Sequence, residues 1–266
     1  MPEEPLSRGS AGARFFALEN HGQFTVLKFG SRASEHVTDL GKTERLWEAL
    51  TVGCGVPDQV LLISSASDSF SPASMDAFWD QVYREQGKTE LLLPEALAGL
   101  GLSRQENAFR QFIEIVRATD RLVIMALQGE CDFSFLGAAL ACDYRIAAED
   151  TLFVNRLFQS EATAGVLTWF LSRYLGHAEA ADILLEGRSL TASEAYELKL
   201  VNKIAQAGEF ERLSLDTARR FAAIPAPTLR AIKRSLVASA ESLGTYVDQI
   251  GAGFCRVKGP PATGTW

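Results

Sequence analysis

The sequence predicts an α/β fold, on three observations. Short apolar runs at residues 60–64 (VLLIS), 122–127 (LVIMAL) and 144–148 have the composition of buried strands and end in small or turn-forming residues. Segments of helical length separate them, which is the spacing that crossovers between parallel strands need. From Glu161 onward the apolar residues recur at helical spacing, broken at Gly176, Gly187, Gly208 and the Pro225-Ala226-Pro227 stretch.

The remaining elements follow in order. Residues 15–19 and 24–29 read as two strands. A helical stretch from about 38 to 50 puts Leu40, Leu46, Trp47 and Leu50 on one face. Thr191, with Glu194 three positions on, reads as a capped helix start. The chain of 266 residues, 47% hydrophobic and 22% charged, is enough for one large domain with a full core. Residues 1–13 are rich in Pro, Gly, Ser and charge and lack the apolar stretch of a secretory signal, so they read as a loose tail. Residues 259–266 read as a flexible end.

Charge and composition limit the partners. A net charge of −7 without any block of Lys or Arg argues against a nucleic-acid partner, which needs clustered cations. It leaves room for a phosphorylated ligand, for which a few local cations suffice. No apolar run approaches the roughly 20 residues that span a bilayer, so no membrane partner is expected. Cys54, Cys131, Cys142 and Cys255 show neither a CxxC pair nor a ligand spacing with histidine. They read as reduced thiols of a cytoplasmic protein, with no metal site expected. His21, His36 and His177 are the only histidines, so a histidine base has few sources; His177 follows Gly176 at a helix start and reads as a surface residue.

The sharpest motif is GECDFSFLGAALACD, from Gly129 to Asp143, followed by Arg145-Ile146-Ala147-Ala148. Its spacing matches G-x-x-x-G-G-G-x-x-L-A-L-A-C-D and R-I-A-A without a gap. Gly187-Arg188 through Glu194-Ala195, then Leu200-Val201-Asn202, follow the pattern G-R-x-x-x-A-x-E-A and G-L-V-N. Phe70-Ser71-Pro72-Ala73-Ser74 is similar to an F-S-A-G-A loop, and residues 227–236 to a penultimate helix. On these motifs the chain resembles the crotonase (enoyl-CoA hydratase/isomerase) superfamily.

That resemblance implies a ββα spiral core over residues 14–205 and a C-terminal helical region over 206–258 that builds a homotrimer or hexamer. It implies an acyl thioester as substrate, on CoA or on a carrier protein, with no tightly bound cofactor. The family's shared device is a pair of backbone N–H groups that stabilise a thioester enolate, each such donor contributing about 3–4 kcal/mol. By position these are the amides of Ser74 and Ser134. Lys233 and Arg234 match a helix that supplies cations to the CoA phosphates; a solvated helix face is the other reading of both.

The sequence departs from the family where chemistry is concentrated. Phe133, Ser134 and Phe135 replace three glycines, and the two rings are expected to narrow the space or turn into it. The two glutamates of the hydratases fall on Gly137 and Leu157, so hydration by that pair is not expected. Glu161 and Asp132 are the substitute acid–base candidates. For Glu161 the alternative is a first-turn helix residue; for Asp132 it is an Asx-type bond holding its loop. Glu130 reads as solvated, Cys142 as core, and Cys131 as core or nucleophile. The arm N-R-P-x-x-x-N-A that grips pantetheine in relatives is replaced by Phe29-Gly30-Ser31-Arg32-Ala33-Ser34. Two functions follow: an unorthodox thioester enzyme that isomerises, decarboxylates or cleaves, or a non-catalytic homologue serving as a structural or thioester-binding subunit.

Overall fold

A computed structural model of the chain describes residues 15–37, 43–52, 58–86, 94–156 and 165–238. Two strands, β1 (Phe16–Asn20) and β2 (Phe24–Phe29), form an antiparallel hairpin with Phe16 opposite Phe29. From β2 the main sheet continues in parallel through β3 (Val60–Ser65), β4 (Leu122–Leu127), β6 (Tyr144–Ala148) and β9 (Lys203–Ala205). A second, three-stranded sheet stacks β5 (Glu130–Asp132), β7 (Leu152–Val154) and β8 (Leu190–Thr191). The tight steps from β4 to β5 and from β6 to β7 cross from the main sheet to the second.

The main sheet is covered on both faces, which is why its strands read as unbroken apolar runs rather than alternating ones. Leu61, Ile63, Val123, Met125 and Leu127 point into the larger core, under helices α1 (Ser34–Val37), α2 (Glu44–Val52), α3 (Pro72–Gln86), α4 (Pro94–Ala118) and α5 (Phe133–Ala139). Their neighbours Val60, Leu62, Leu122, Ile124 and Ala126 point to the other side, beneath Ala218 and Ala222 of α9 (Phe210–Ala222) and Leu229 of α10 (Ala226–Ala238). The two-residue period of a strand produces this division.

The helix expected from about 38 begins at Glu44, with Leu46, Trp47 and Leu50 buried; Leu40 lies outside the described residues. The C-terminal third holds α6 (Gly165–Leu175), α7 (His177–Leu185), α8 (Ala192–Glu197), α9 and α10, but also the short strands β8 and β9, which helical periodicity conceals. Thr191 caps α8 with a full capping box: its hydroxyl accepts from the Glu194 N–H, and the Glu194 carboxylate accepts from the Thr191 N–H. The proposed tail and flexible end lie outside the described residues. Among the described residues no helix is long and apolar enough to cross a membrane, and no group of His, Cys, Asp and Glu is arranged to hold a metal.

Candidate active site

Two strand-to-helix loops meet at one edge of the core. The first leaves β3 and enters α3 at Ser71-Pro72; the second leaves β4 at Gly129 and enters α5 at Asp132-Phe133. The Asp132 N–H donates to the Phe70 carbonyl at 2.8 Å, tying the loops together. Gly129 has φ +69°, and a Cβ there would stand 2.2 Å from the Ser67 carbonyl oxygen. Only glycine satisfies both the backbone conformation and the close approach of the two loops.

Ser74 and Ser134 lie in the first turns of the helices that these loops enter, and each amide already has an internal acceptor. Ser71 precedes α3 with proline at its first helical position, and its Oγ accepts from the Ser74 N–H at 3.2 Å. Asp132 is the N-cap of α5, and its Oδ1 accepts from the Ser134 N–H at 2.9 Å and from the Ser134 hydroxyl at 2.6 Å. Asp132 thus plays the Asx-type part. Its other oxygen, Oδ2, accepts from Arg156 Nε at 3.2 Å and from the second Arg156 nitrogen at 3.1 Å. With both oxygens engaged, this carboxylate is poorly placed to take a proton from a carbon acid.

Arg156, which the sequence reading passed over, closes the site. It also donates twice to Asp76 on α3, at 2.8 and 3.0 Å, and to the Pro72 carbonyl at 3.2 Å. One guanidinium therefore clamps both loops to the segment after β7, a geometry suited to its planar fork of donors. The signal was present: Arg156 directly precedes Leu157, the second glutamate position, and Asp132 is an acid in the facing loop.

The aromatic substitutions turn inward. The Phe135 ring stacks on Phe70 with centroids 3.4 Å apart and planes at 8°, while Phe109 and Phe112 of α4 border it at 6.2 and 6.4 Å. Phe133 and Phe135 are both buried. Gly137, at the first glutamate position, faces α6: a Cβ there would lie 2.9 Å from the Leu167 amide nitrogen and 3.1 Å from its Cα. The backbone of α6 occupies the space that a glutamate would need.

The other candidates fall as follows. Lys233 is a correction: it is 1% exposed, and its Nζ donates to Asp143 at 2.6 Å and to the Val116 carbonyl at 2.8 Å. A buried, doubly engaged ammonium is not offered to a CoA phosphate. Arg234, one residue on, is exposed and pairs with Asp120 at 3.2 Å. Glu161 and Leu157 lie outside the described residues. The nucleophile reading of Cys131 is corrected as well: the thiol is buried, and burial, with Asp132 nearby, raises its pKa well above the usual cysteine value. Cys142 is core, Glu130 and His177 are exposed, and neither Cys131 nor Cys142 is in a disulfide.

The comparison with known proteins decides the family. A family model described as enoyl-CoA hydratase/isomerase matches residues 102–252, more than half of the chain. The chain belongs to the enoyl-CoA hydratase/isomerase family. Solved relatives agree on the fold: the enoyl-CoA hydratase from Bacillus halodurans superposes with a TM-score of 0.72 at 16% identity, covering 91% of this chain and 93% of that one. The Bacillus anthracis enoyl-CoA hydratase gives 0.69 at 19%, with 92% of each chain covered. In sequence, the 4-chlorobenzoyl coenzyme A dehalogenase-1 of Arthrobacter sp is 27% identical over 118 residues, 44% of this chain and 43% of the relative. The fatty acid oxidation complex subunit alpha of Vibrio vulnificus is 31% identical over 134 residues, 48% of this chain and 17% of that one. The chain thus spans less than half the length of these curated relatives.

Proposed function

We propose that this family member handles an acyl thioester, carried by CoA or by a carrier protein, and does so without two-glutamate hydration. The observation that carries the second half is the approach of α6 to Gly137, which leaves a side chain at that position no room. Family membership, and relatives named for coenzyme A chemistry, support the first half. In this reading the thioester oxygen displaces Ser71 Oγ from the Ser74 N–H and Asp132 Oδ1 from the Ser134 N–H. The freed Asp132 stays held by Arg156, and reactions needing few acid–base groups, such as isomerisation, decarboxylation or thioester cleavage, fit what remains. Glu161 is the further candidate for moving a proton.

One observation favours a second reading, a non-catalytic subunit that keeps the scaffold. The Phe70–Phe135 stack fills the place between the loops, and one candidate donor amide is bonded to a carboxylate, which repels an enolate. Titration calorimetry of the full chain against CoA, acetyl-CoA and crotonyl-CoA separates the two, followed by a turnover screen of acyl thioesters. The expected result is micromolar binding that strengthens with the acyl group and no hydration of crotonyl-CoA. Absence of heat at concentrations that reveal about millimolar affinity transfers the assignment to the second reading; hydration of crotonyl-CoA sinks the first outright.

A further inference from the structure

Ser71, Ser74 and Ser134 stand where the two loops enter their helices, and their hydroxyls are engaged differently. Ser71 Oγ donates to the Asp68 carbonyl at 3.2 Å and Ser74 Oγ to the Ser69 carbonyl at 3.1 Å, and both serines are buried. Main-chain carbonyls accept these hydroxyls but do not take their protons. Ser134 is half-buried, and its hydroxyl donates instead to a carboxylate oxygen, Asp132 Oδ1, at 2.6 Å. A base activates a hydroxyl nucleophile at about 2.6–3.2 Å. An ionised aspartate only accepts, so the proton in this bond is the serine's. Asp132 is buried, and Arg156 holds its other oxygen at 3.2 and 3.1 Å. A hydroxyl, a base and a group that orients the base therefore follow one another, the arrangement of an activated nucleophile. The same bonds that keep Asp132 from a carbon acid point it at the Ser134 proton.

We infer, resting on the thioester reading, that Ser134 is a nucleophile with Asp132 as its general base, and that the reaction is thioester cleavage through an acyl-serine. In the first step Ser134 Oγ bonds to the thioester carbonyl carbon and the carbon–sulfur bond breaks. The hydroxyl proton passes to Asp132 and on to the departing thiolate. In the second step water adds to the acyl-serine and gives a proton to Asp132. The bond from the acyl carbon to Oγ then breaks, Oγ takes that proton, and the free acid leaves. A thiol's ordinary pKa is about 8.5, so the thiolate departs with little help and one carboxylate suffices where hydration needs two. The Ser134 N–H sits on the nucleophile itself, as one oxyanion donor does in Ser-His-Asp enzymes. When the carbonyl oxygen takes that N–H from Asp132 Oδ1, the carboxylate keeps its bond to the hydroxyl.

The test treats the full chain with acetyl-CoA and, separately, with p-nitrophenyl acetate, an activated ester that needs no contact with CoA. Acid-quenched samples are read by intact mass and peptide mapping, with release of free thiol or nitrophenol followed alongside. Both reagents are expected to be cleaved and to leave a single acetyl group, on Ser134. Ser134→Ala is expected to abolish label and cleavage, and Asp132→Asn, which keeps an N-cap, to slow both at least about a hundred-fold. Label and cleavage with the nitrophenyl ester alone support the nucleophile and overturn the thioester reading. Acetyl-CoA that binds by calorimetry, with neither label nor cleavage from either reagent, overturns the nucleophile and leaves the thioester reading standing. Absence of binding, label and cleavage together overturns both. Label on another residue, or either variant reacting at the parent rate, also overturns the assignment of Ser134 and Asp132.

Discussion

Helix α5 carries an acid–cation pair at each end, and the two pairs differ in how wet they are. At its N-terminus Asp132 pairs with Arg156, with side chains 11% and 21% exposed. Just beyond its C-terminus Asp143 pairs with Lys233 at 5% and 2%. The first pair acts on loops: it fixes an N-cap and clamps the segments entering α3 and α5. The second joins α10 to the sheet, with Asp143 Oδ2 also accepting from the Val123 N–H at 2.8 Å. The dry pair is a structural fixture that cannot be broken cheaply, because either partner left alone is a charge without solvent. The wetter pair is screened and exchangeable, which is where a ligand can intervene.

The largest expected effect comes from breaking the dry pair. Lys233→Met leaves Asp143 buried and alone and should cost about 3–5 kcal/mol of unfolding free energy, read by denaturant titration. Burial already raises the Asp143 carboxyl above its ordinary 3.8 while Lys233 pulls it down, so the variant raises it further. A carboxyl with a raised folded pKa lends stability that is fully present below 3.8 and lost as pH climbs through the folded value. The deficit of Lys233→Met should therefore shrink in acid; a pH-independent deficit would show that Asp143 is not the group responsible.

Next in size is Gly137→Ala, in the middle of the same helix. It forces α6 to move by a few tenths of an ångström and should cost about 1–3 kcal/mol, measured by thermal or chemical unfolding. Asp132→Ala, at the wet end, loses an N-cap and should cost about 1 kcal/mol. It should also tighten acyl-CoA binding, because the competitor for the Ser134 N–H is gone; weaker binding than the parent would count against the oxyanion role of that amide. The smallest effect sharpens the contrast with an acid whose cap has no buried charge. The Thr191 N–H and hydroxyl hold the exposed Glu194 carboxyl below its ordinary 4.5, so its contribution is present above 4.5 and lost as pH falls through the folded value. Glu194→Gln should flatten the acid limb of the stability curve slightly and leave the neutral range within a few tenths of a kcal/mol.

Much of this was legible in the sequence because it is local. Strands buried on both faces announce themselves as unbroken apolar runs, and the Thr191 box and the Asp132 cap are set within three residues. The succession of β4, α5 and β6 around GECDFSFLGAALACD followed from a motif of fixed length. What was not legible depends on distant partners. Phe135 finds Phe70 and Arg156 finds Asp76 across loops that local pattern cannot bring together. In sequence Lys233 and Arg234 share one reading, as phosphate contacts or as a solvated helix face, yet successive residues on a helix point about 100° apart. One had to face inward, and the buried Asp143 decided which. Ser71-Pro72 also carried a local signal that the family resemblance overshadowed: serine followed by proline marks an N-cap, and its hydroxyl takes the amide that the resemblance assigned to an enolate.

On the proposed reading, in which this chain does not hydrate by a pair of glutamates, the contact between Gly137 and Leu167 makes that loss one-way. Were the glutamate alone missing, a single codon change could restore it. Here the α6 backbone stands where a side chain at 137 would go, so a carboxylate introduced there meets main chain rather than solvent or a pliable side chain. An engineer seeking hydration from this scaffold would have to lift α6 away from α5 before changing any reactive group, and a screen of point variants should return none that hydrate.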